Sequence, residues 1–133
     1  MALRLLAPDV HVAGQIDPSD LQAAIALGVR HVISNRPDGE EPGQPDAATV
    51  AAAAAALGLG FTHAPARGLP DDATVIAVDA VLATGDPVLL FCRSGMRSAA
   101  AWALASVRSG RLTVEEAVEA GAGAGFDLRG LPY

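Results

Sequence analysis

The feature that most constrains the fold is a continuous apolar run, Val88–Phe91, between the turn residues after Gly85 and a loop that begins at Cys92. A strand with one face in water alternates apolar and polar side chains, whereas a strand that is apolar at every position must be covered on both faces. Such coverage is typical of the central strand of a parallel sheet. The run therefore predicts a layered core with helices on each side of a sheet.

Helix and strand signals alternate along the rest of the chain. Further strands are predicted at 10–13, 29–34 and 61–64. Helices are predicted after Asp17, at 46–57, from Asp71 or Asp72 through Leu82 to Gly85, at 98–109, and after a capping box of Thr113 and Glu116. Strand–helix–strand alternation with short connections implies right-handed crossovers. We therefore expect a three-layer α/β fold with a mainly parallel central sheet, in a single domain spanning residues 1–133.

Composition narrows the classes of function. The formal net charge of −6 argues against general affinity for nucleic acid or for anionic membranes, so any anion site must be local. The N-terminal residues do not resemble a signal peptide, and no apolar run approaches the roughly 20 residues of a membrane span. The single cysteine excludes an internal disulfide and is compatible with a reducing compartment. A cytoplasmic protein is the expectation.

The segment with chemical content runs from Cys92 to Ser98, directly after the apolar run. Ligands of open α/β sheets bind beyond the carboxyl ends of the strands, where this segment falls. A loop that leads into a helix points backbone N–H groups inward, and the helix dipole adds positive potential. Cys92 is therefore predicted to be a nucleophilic thiolate, and Arg97 a forked cation that binds an oxyanion. The anion-binding loop is predicted to comprise Arg93, Ser94, Gly95, Met96 and Ser98, with Ser98 able to donate a hydrogen bond to the sulfur.

Simpler interpretations of these residues exist. A lone cysteine at the end of an apolar strand is usually an inert buried side chain, but the glycine and arginine that follow favour a site. His11, His31 and His63 are too dispersed for a metal motif, and no phosphate loop of the Gly-x-x-x-x-Gly-Lys type is present. Neither a metal nor a cofactor is expected. A Cys92–His63 dyad stays open, without positive support.

The cysteine loop resembles that of rhodanese-type sulfurtransferases, in which four residues separate the cysteine from an arginine. The wider pattern is similar to a small bacterial family of beta-lactamase-hydrolase-like, phosphatase-like proteins (domain of unknown function 442). The matching segments are Gly14-Gln15-Ile16, residues 32–41, the cysteine loop, and Gly125-Phe126-Asp127-Leu128. The resemblance implies a fold like that of dual-specificity tyrosine phosphatases, with either phosphatase or sulfurtransferase activity.

Two departures from the phosphatase pattern favour sulfur transfer. Tyrosine phosphatases usually carry five residues between cysteine and arginine, and a histidine where this chain has Phe91. They also use an aspartate as general acid, whereas the corresponding loop here has Arg67, and Asp71 and Asp72 are explained more simply as helix caps. A thiolate that attacks a sulfane sulfur expels a stable anion and needs no acid.

The leading hypothesis from sequence is a thiol sulfurtransferase that forms a Cys92 persulfide, with small sulfur-donor and thiol-acceptor molecules as partners. The alternative is a phosphatase that forms a phosphocysteine from a phosphorylated substrate. A non-catalytic module that binds an anion or senses persulfide is a third possibility. Gln15, Arg36 and Asp38 are predicted to rim the pocket, unless Arg36 and Asp38 merely pair to shape a surface turn.

Overall fold

The computed structural model describes residues 2–133, so Met1, the first residue of the predicted domain, lies outside the described part. Within it, a single sheet contains strands β1 (Arg4–Ala7), β2 (Val10–Ala13), β3 (His31–Ser34), β4 (Gly60–His63) and β5 (Val88–Phe91). The helices are α1 (Leu21–Ala26), α2 (Ala47–Ala56), α3 (Asp72–Leu82), α4 (Met96–Arg108) and α5 (Val114–Gly123), and a short 3-10 turn, Pro18–Asp20, precedes α1.

The sheet has the strand order β1-β2-β5-β3-β4 and is parallel except for β1, which runs antiparallel to β2. Leu90 of β5 pairs in register with Val12 of β2 on one side and with Ile33 of β3 on the other. All four side chains of β5 are buried, as the continuous apolar run predicts. The predicted mainly parallel α/β fold is therefore confirmed.

Two apolar clusters cover the two faces of this sheet. On one face Val88 and Leu90 pack with side chains of α3, α4 and α5, among them Val78 and Trp102. On the other face Leu89 and Phe91 pack with side chains of α1 and α2. Successive side chains of β5 thus enter opposite layers, which is the period of a strand. Many of the contacts come from alanines, and these small side chains allow close approach of helix and sheet. Buried examples in α4 are Ala99, Ala100, Ala101, Ala103 and Ala105.

Most of the predicted helix signals act as expected. Asp46, Asp71 and Thr113 are N-caps whose side chains accept hydrogen bonds from the backbone, and Thr113 with Glu116 forms the predicted capping box. Asp17 caps the 3-10 turn in the same way. None of the helices within residues 2–133 combines the length and the apolar character that a bilayer crossing requires.

Two features differ from the sequence prediction. Strand β1 was not predicted, because it is short, lies at the edge of the sheet and buries only Leu6. Its pairing with β2 follows a tight turn at Asp9, whose φ is 64°. Helix α4 begins at Met96 rather than at residue 98, because Gly95 adopts a left-handed conformation that turns the chain directly from the loop into the helix. Arg97 consequently lies in the first helical turn.

Candidate active site

Four parallel strands, β2, β3, β4 and β5, end at the same edge of the sheet. The segments that follow them meet there: Gly14 and Gln15 after β2, the loop 35–46 after β3, the loop 64–71 after β4, and the cysteine loop after β5. This is the edge at which open α/β sheets bind ligands. The residues predicted for the site, although far apart in sequence, are therefore placed on one side of the molecule.

Cys92 lies at the base of the cysteine loop with none of its surface exposed. Its sulfur accepts a hydrogen bond from the backbone N–H of Gly95, with 3.1 Å between nitrogen and sulfur. Gly95 has a φ of 97°, and a Cβ at that position would lie 3.0 Å from the Phe126 ring and 3.2 Å from a methyl group of Val12. Only glycine therefore satisfies both the turn and the space that place this amide against the sulfur.

The loop after β2 holds the cysteine loop from the other side. The backbone N–H of Gln15 donates to the carbonyl oxygen of Arg93 at 3.2 Å. A Cβ on Gly14 would stand 2.9 Å from that same carbonyl oxygen, so glycine permits the close approach of the two backbones. Gly14 was singled out in the sequence only within a matching motif, and Gln15 also as a rim residue. The pair holds the loop that carries the nucleophile.

The start of α4 supplies positive potential to this loop. The helix has no side-chain cap at Gly95 and no acidic residue in its first turn. The amide of Met96 donates to the Ser94 hydroxyl at 3.4 Å, and the amides of Arg97 and Ser98 follow in the same helical turn without an acidic side chain. Uncapped N–H groups and the positive end of the helix dipole favour an anion. Cys92 therefore adjoins a turn suited to an oxyanion.

Arg97 is held in one orientation by two partners. Its Nη1 and Nη2 donate to the two carboxylate oxygens of Glu40 at 2.8 Å and 2.9 Å, and Nη1 also donates to the Ala66 carbonyl oxygen. These contacts leave the N–H groups of Nε and of the outer side of Nη2, which lie on one edge of the planar guanidinium. That edge is a fork for two oxygens of an anion. The hydrogen bonds that Arg97 donates to Glu40 raise the pKa of Arg97, and the neighbouring Cys92 sulfur raises it further.

A chain of alternating charges extends from Arg97 across the site, and we name it the ion-pair ladder: Arg97, Glu40, Arg36, Glu41 and Arg93. Arg36 donates from Nε to Glu40 and from Nη2 to Glu41, each at 2.9 Å, and Arg93 contacts Glu41 at 2.7 Å. The hydrogen bonds from Arg97, with a smaller contribution from Arg36, lower the pKa of Glu40 to about 2. Glu40 therefore stays ionised at neutral pH and keeps Arg97 oriented.

Arg36 is the buried centre of this ladder, with only 4% of its side chain exposed. Its remaining donor, Nη1, reaches the Gln15 side-chain oxygen at 2.9 Å. A buried guanidinium that loses a partner leaves an uncompensated charge, which typically costs about 3–5 kcal/mol. Gln15 and Arg36, predicted as rim residues, are thus connected to Arg97 through Glu40.

The alternative interpretation, in which Arg36 and Asp38 merely pair with each other to shape a surface turn, is wrong. The Asp38 carboxylate turns away and accepts a hydrogen bond from the backbone N–H of Ala47, at the start of α2. Arg36 pairs with Glu40 and Glu41 instead. Of the acidic side chains in the loop after β3, Asp38 therefore binds the start of α2, whereas Glu40 and Glu41 bind arginines of the site. Asp38 lines a separate polar cavity of about 480 Å³, together with Arg67 and Asp71.

The predicted hydrogen bond from Ser98 to the sulfur is also wrong. The Ser98 hydroxyl is fully buried and donates to the side-chain oxygen of Asn35 at 2.8 Å. Asn35 in turn donates to the Ala64 carbonyl oxygen at 2.8 Å. Ser98 therefore ties the start of α4 to the loops after β3 and β4, and the backbone N–H of Gly95 takes the place at the sulfur.

Two open questions from the sequence concern acids and bases. Asp71 is the N-cap of α3, where its carboxylate accepts from the Thr74 backbone at 2.9 Å, and this hydrogen bond lowers its pKa. Asp72 is exposed and pairs with Arg108. His63 contacts the Arg36 carbonyl oxygen at 2.9 Å, so it forms no dyad with Cys92. Residues 2–133 hold no group of three His, Cys, Asp or Glu side chains placed to bind a metal ion.

Glu40 and Glu41 are the site residues that sequence reasoning left without a role. They stand in the segment that carries the family resemblance, which is the signal that could have drawn attention to them. Nothing local to that segment shows that Glu40 meets an arginine 57 positions further along the chain. That contact depends on the two loops ending at the same sheet edge.

Solved structures identify the class of fold to which this chain belongs, that of the tyrosine-phosphatase-like proteins. A crystal structure of a candidate phosphatase from Neisseria meningitidis Z2491 is 30% identical, covers 97% of this chain and 92% of its own, and superimposes with a TM-score of 0.78. Kinase associated phosphatase, 16% identical with a TM-score of 0.68 over 92% of this chain and 84% of its own, has the same fold.

The particular family follows from sequence. The chain belongs to the family described as Beta-lactamase hydrolase-like protein, phosphatase-like domain, whose profile matches residues 2–109. The Beta-lactamase hydrolase-like protein of Xylella fastidiosa is 35% identical over 119 residues, which are 88% of this chain and 28% of that protein. The resemblance inferred from the motifs is thus confirmed. These comparisons favour the phosphatase interpretation and give no support to sulfur transfer.

Proposed function

We propose that this chain is a cysteine-dependent phosphatase that hydrolyses phosphoric monoesters, with Cys92 as the nucleophile. The observation that carries the proposal is the placement of the Cys92 sulfur against the Gly95 amide, below the uncapped first turn of α4 that holds Arg97. Membership of the phosphatase-like family supports it. The curated relatives are more than three times longer than the matched segment, so their own activities are not carried over.

In the proposed binding step, the free edge of Arg97 and the amides at the start of α4 hold the phosphoryl oxygens. Glu40 and the Ala66 carbonyl fix the guanidinium before the substrate arrives, so little reorganisation is required at the moment of reaction. Lysine could not replace this fork, because an ammonium group is a point charge on a flexible stem.

In the chemical steps, the thiolate attacks phosphorus, a sulfur–phosphorus bond forms, and the bond from phosphorus to the ester oxygen breaks. Water then attacks the phosphocysteine, which releases phosphate and regenerates the thiolate. The Gly95 amide stabilises the thiolate that leaves in this second step. The Gly95 N–H, which donates to the Cys92 sulfur, therefore acts in both halves of the cycle.

Access to the sulfur requires movement, because Cys92 is fully covered. We infer that the exposed end of the ion-pair ladder moves, since the side chains of Arg93 and Glu41 are 68% and 45% exposed. Exposed ion pairs contribute only about 0–1 kcal/mol, so an incoming phosphate can displace Arg93 from Glu41 at small cost. The inner pair of Glu40 and Arg97 stays in place.

A second candidate function is sulfur transfer, which one specific observation favours. The acidic side chains of the loops after β3 and β4, namely Asp38, Glu40, Glu41, Asp46 and Asp71, are all bound to backbone amides or arginines. A phosphatase without a proton donor is limited to esters whose leaving oxygen is a stable anion. Attack by the thiolate on the outer sulfur of thiosulfate expels sulfite and needs no proton donor.

A paired assay of the purified chain tests the proposal. Aryl phosphate hydrolysis and cyanide-dependent consumption of thiosulfate are measured side by side, for the native chain and for Cys92→Ser. We expect phosphate release that requires Cys92. Cys92-dependent thiosulfate turnover without phosphate release would replace the phosphatase assignment with the second candidate.

A further inference from the structure

The motif Gly125-Phe126-Asp127-Leu128 carries part of the family resemblance, but the proposed reaction gives it no role. It follows α5, far along the chain from the cysteine loop, and lies beyond residue 109, where the matched family profile ends. Phe126 is 7% exposed and belongs to the apolar cluster on one face of the sheet. The tip of its ring reaches the loop that carries the nucleophile.

The ring of Phe126 forms part of a wall against Gly95. A Cβ built on Gly95 would meet three atoms of this wall, namely Cζ of Phe126 at 3.0 Å, Cγ1 of Val12 at 3.2 Å and the carbonyl oxygen of Ala13 at 3.4 Å. Val12 and Ala13 are held in place by the pairing of β2 with β5. Phe126 is the member of the wall that comes from outside the sheet.

The position of Gly95 determines the hydrogen bond to the nucleophile. The Gly95 N–H donates to the Cys92 sulfur, with 3.1 Å between nitrogen and sulfur. Glycine has the widest choice of backbone conformations, so nothing in the residue itself holds its φ at 97°. A wall in contact with its α-carbon restricts that choice. Without the ring tip Gly95 has space in which to turn, and a turned N–H donates less well to the sulfur.

The end of α5 fixes the backbone of Phe126. Gly125 has a φ of 89°, and its N–H donates to the carbonyl oxygen of Ala122 at 3.0 Å. The N–H of Phe126 donates to the carbonyl oxygen of Gly121 at 2.8 Å. These two hydrogen bonds form a Schellman motif, in which the residue after the glycine is turned back toward the helix. The helix end therefore determines where the Phe126 side chain begins.

Arg4 of β1 fixes the ring itself. Its guanidinium carbon lies 5.3 Å from the centroid of the Phe126 ring, within the range of a cation–π contact. Its Nη1 also donates to the carbonyl oxygen of Ala124 at 3.1 Å, at the end of α5 where the helix dipole favours a cation. Arg4 thus binds both the helix end and the ring that follows it.

We propose that Phe126 is a positioning residue for Cys92, which acts by holding Gly95 in the conformation that directs its N–H at the sulfur. A hydrogen bond of this kind stabilises the thiolate, whatever the thiolate attacks. Only the effect of Phe126 on phosphate hydrolysis rests on the proposed function. The C-terminal motif is therefore part of the active site through its contact with the cysteine loop.

The pH dependence of Cys92 alkylation tests the proposal without any turnover. The chain has a single cysteine, so the rate of reaction with iodoacetamide, followed by mass spectrometry, reports on that thiol. The midpoint of the pH curve gives the formation of the thiolate, whereas access to the sulfur changes the height of the curve. We expect Phe126→Leu, which stays apolar but lacks the ring tip, to raise the midpoint by about half a unit or more, because it weakens a hydrogen bond to the charged form. An unchanged midpoint would overturn the proposal.

Leu128→Ala is the matched control. Leu128 is a fully buried side chain of the same motif, but it packs against Gly121 of α5. We expect this variant to lower the unfolding temperature at least as much as Phe126→Leu does, and to keep the native midpoint. Equal shifts of the midpoint in the two variants would indicate a general loosening of the core and would overturn the specific role of Phe126.

A second variant, Phe126→Met, protects the test against a failure of Phe126→Leu to fold. Methionine keeps more of the buried volume, but its flexible side chain provides no rigid tip against Gly95. We expect the midpoint to rise in this variant as well. The native midpoint in a folded Phe126→Met protein would mean that the aromatic ring is not required for positioning, and the proposal would fail.

Hydrolysis of an aryl phosphate separates this inference from the proposed function. In an active phosphatase Phe126→Leu should lower kcat/KM roughly tenfold, since misplacement of a catalytic group by about 1 Å has effects up to about a hundredfold. Hydrolysis with native kcat/KM and a native alkylation midpoint would overturn the positioning role alone. A raised midpoint in a chain whose native form hydrolyses no phosphate ester would overturn the phosphatase assignment and leave the positioning role standing.

Discussion

Helices α3 and α4 pack against each other and begin at the same edge of the sheet, yet their N-termini differ in chemistry. Helix α3 has Asp71 as its cap and Asp72 in its first turn, so its free N–H groups and its dipole are neutralised within the chain. Helix α4 has neither a side-chain cap at Gly95 nor an acid in its first turn, and it begins at Met96, directly after the loop that holds the buried Cys92. The start of α3 is thus stabilised by its own carboxylates, whereas the start of α4 has none, as the proposed anion site requires.

The ion-pair ladder adds a second difference between the two ends. Asp72 of α3 pairs with Arg108 on an exposed surface, where such a pair contributes little. Arg97 of α4 pairs with Glu40, which is tied in turn to the buried Arg36. Charge at α3 supports the fold locally, while charge at α4 orients a side chain toward the site.

The largest expected effect is that of Cys92→Ser. A serine hydroxyl is scarcely ionised near neutral pH and leaves poorly, so turnover should fall below detection on any substrate that the native chain converts. Because the side chains are nearly equal in size, the thermal unfolding temperature should stay within a few degrees. Activity that persists in a folded Cys92→Ser protein would show that the chemistry does not depend on Cys92.

Arg97→Lys should lower kcat/KM by roughly 10²–10³, the loss typical of removing an oriented donor from an anion-stabilising site. The ammonium keeps the charge but not the side-on fork. The matched control is Arg108→Lys, at the other end of the same helix. It should change kcat/KM by less than about twofold, because Arg108 forms only an exposed ion pair with Asp72. A native-like rate for Arg97→Lys would mean that backbone amides alone hold the anion.

Glu40→Gln should lower kcat by about tenfold to a hundredfold, since misplacement of a catalytic group by about 1 Å has effects of that size. Glutamine cannot accept both Nη groups of Arg97, so the guanidinium is free to turn. KM should change less than kcat, because the charge of Arg97 remains. Glu41→Gln, on the same ladder but away from Arg97, is the control, and equal losses in both variants would indicate a general effect of the ladder on folding.

The loss of stability at low pH tests the same contact between Glu40 and Arg97. In the folded chain the pKa of Glu40 is lowered from its ordinary 4.5 to about 2, so its contribution to stability is complete above about 4.5 and is lost as the pH falls toward 2. Urea unfolding of the native chain and of Glu40→Gln should therefore differ at pH 6 and converge near pH 2. A difference that stays constant across this range would show that the Glu40 carboxylate is not held by the arginines.

Asp71→Asn should have the smallest effect. Asparagine caps a helix as well as aspartate does. The free energy of unfolding should therefore be nearly unchanged, and the rate of aryl phosphate hydrolysis should stay within a few-fold of native. Asp71→Ala should cost about 1 kcal/mol of stability with unchanged kcat, which is the behaviour of a cap. If Asp71→Asn instead lowers hydrolysis by roughly 10²–10⁴, most strongly for poor leaving groups, Asp71 is a general acid and the contrast between α3 and α4 fails.

The parts of this protein that could be predicted from sequence are those determined by neighbouring residues. The apolar run of β5 predicted a strand at the centre of a parallel sheet, where the structure places it. The capping residues Asp46, Asp71 and Thr113 predicted helix starts, and each is an N-cap in the structure. The cysteine, the glycine and the arginine of the loop after β5 were recognisable because strand, turn and helix follow one another there without interruption.

Tertiary structure decided the contacts between loops that are distant along the chain. Ser98 was expected at the sulfur, but Asn35 from the loop after β3 takes its hydroxyl. Arg36 and Asp38 were predicted to rim the pocket together, with their mutual pairing as the alternative, yet Asp38 binds the amide of Ala47 while Arg36 binds Glu40 and Glu41. Local sequence determines which groups can donate and accept, whereas the meeting of four strand ends at one edge determines which donors and acceptors are close enough to bond.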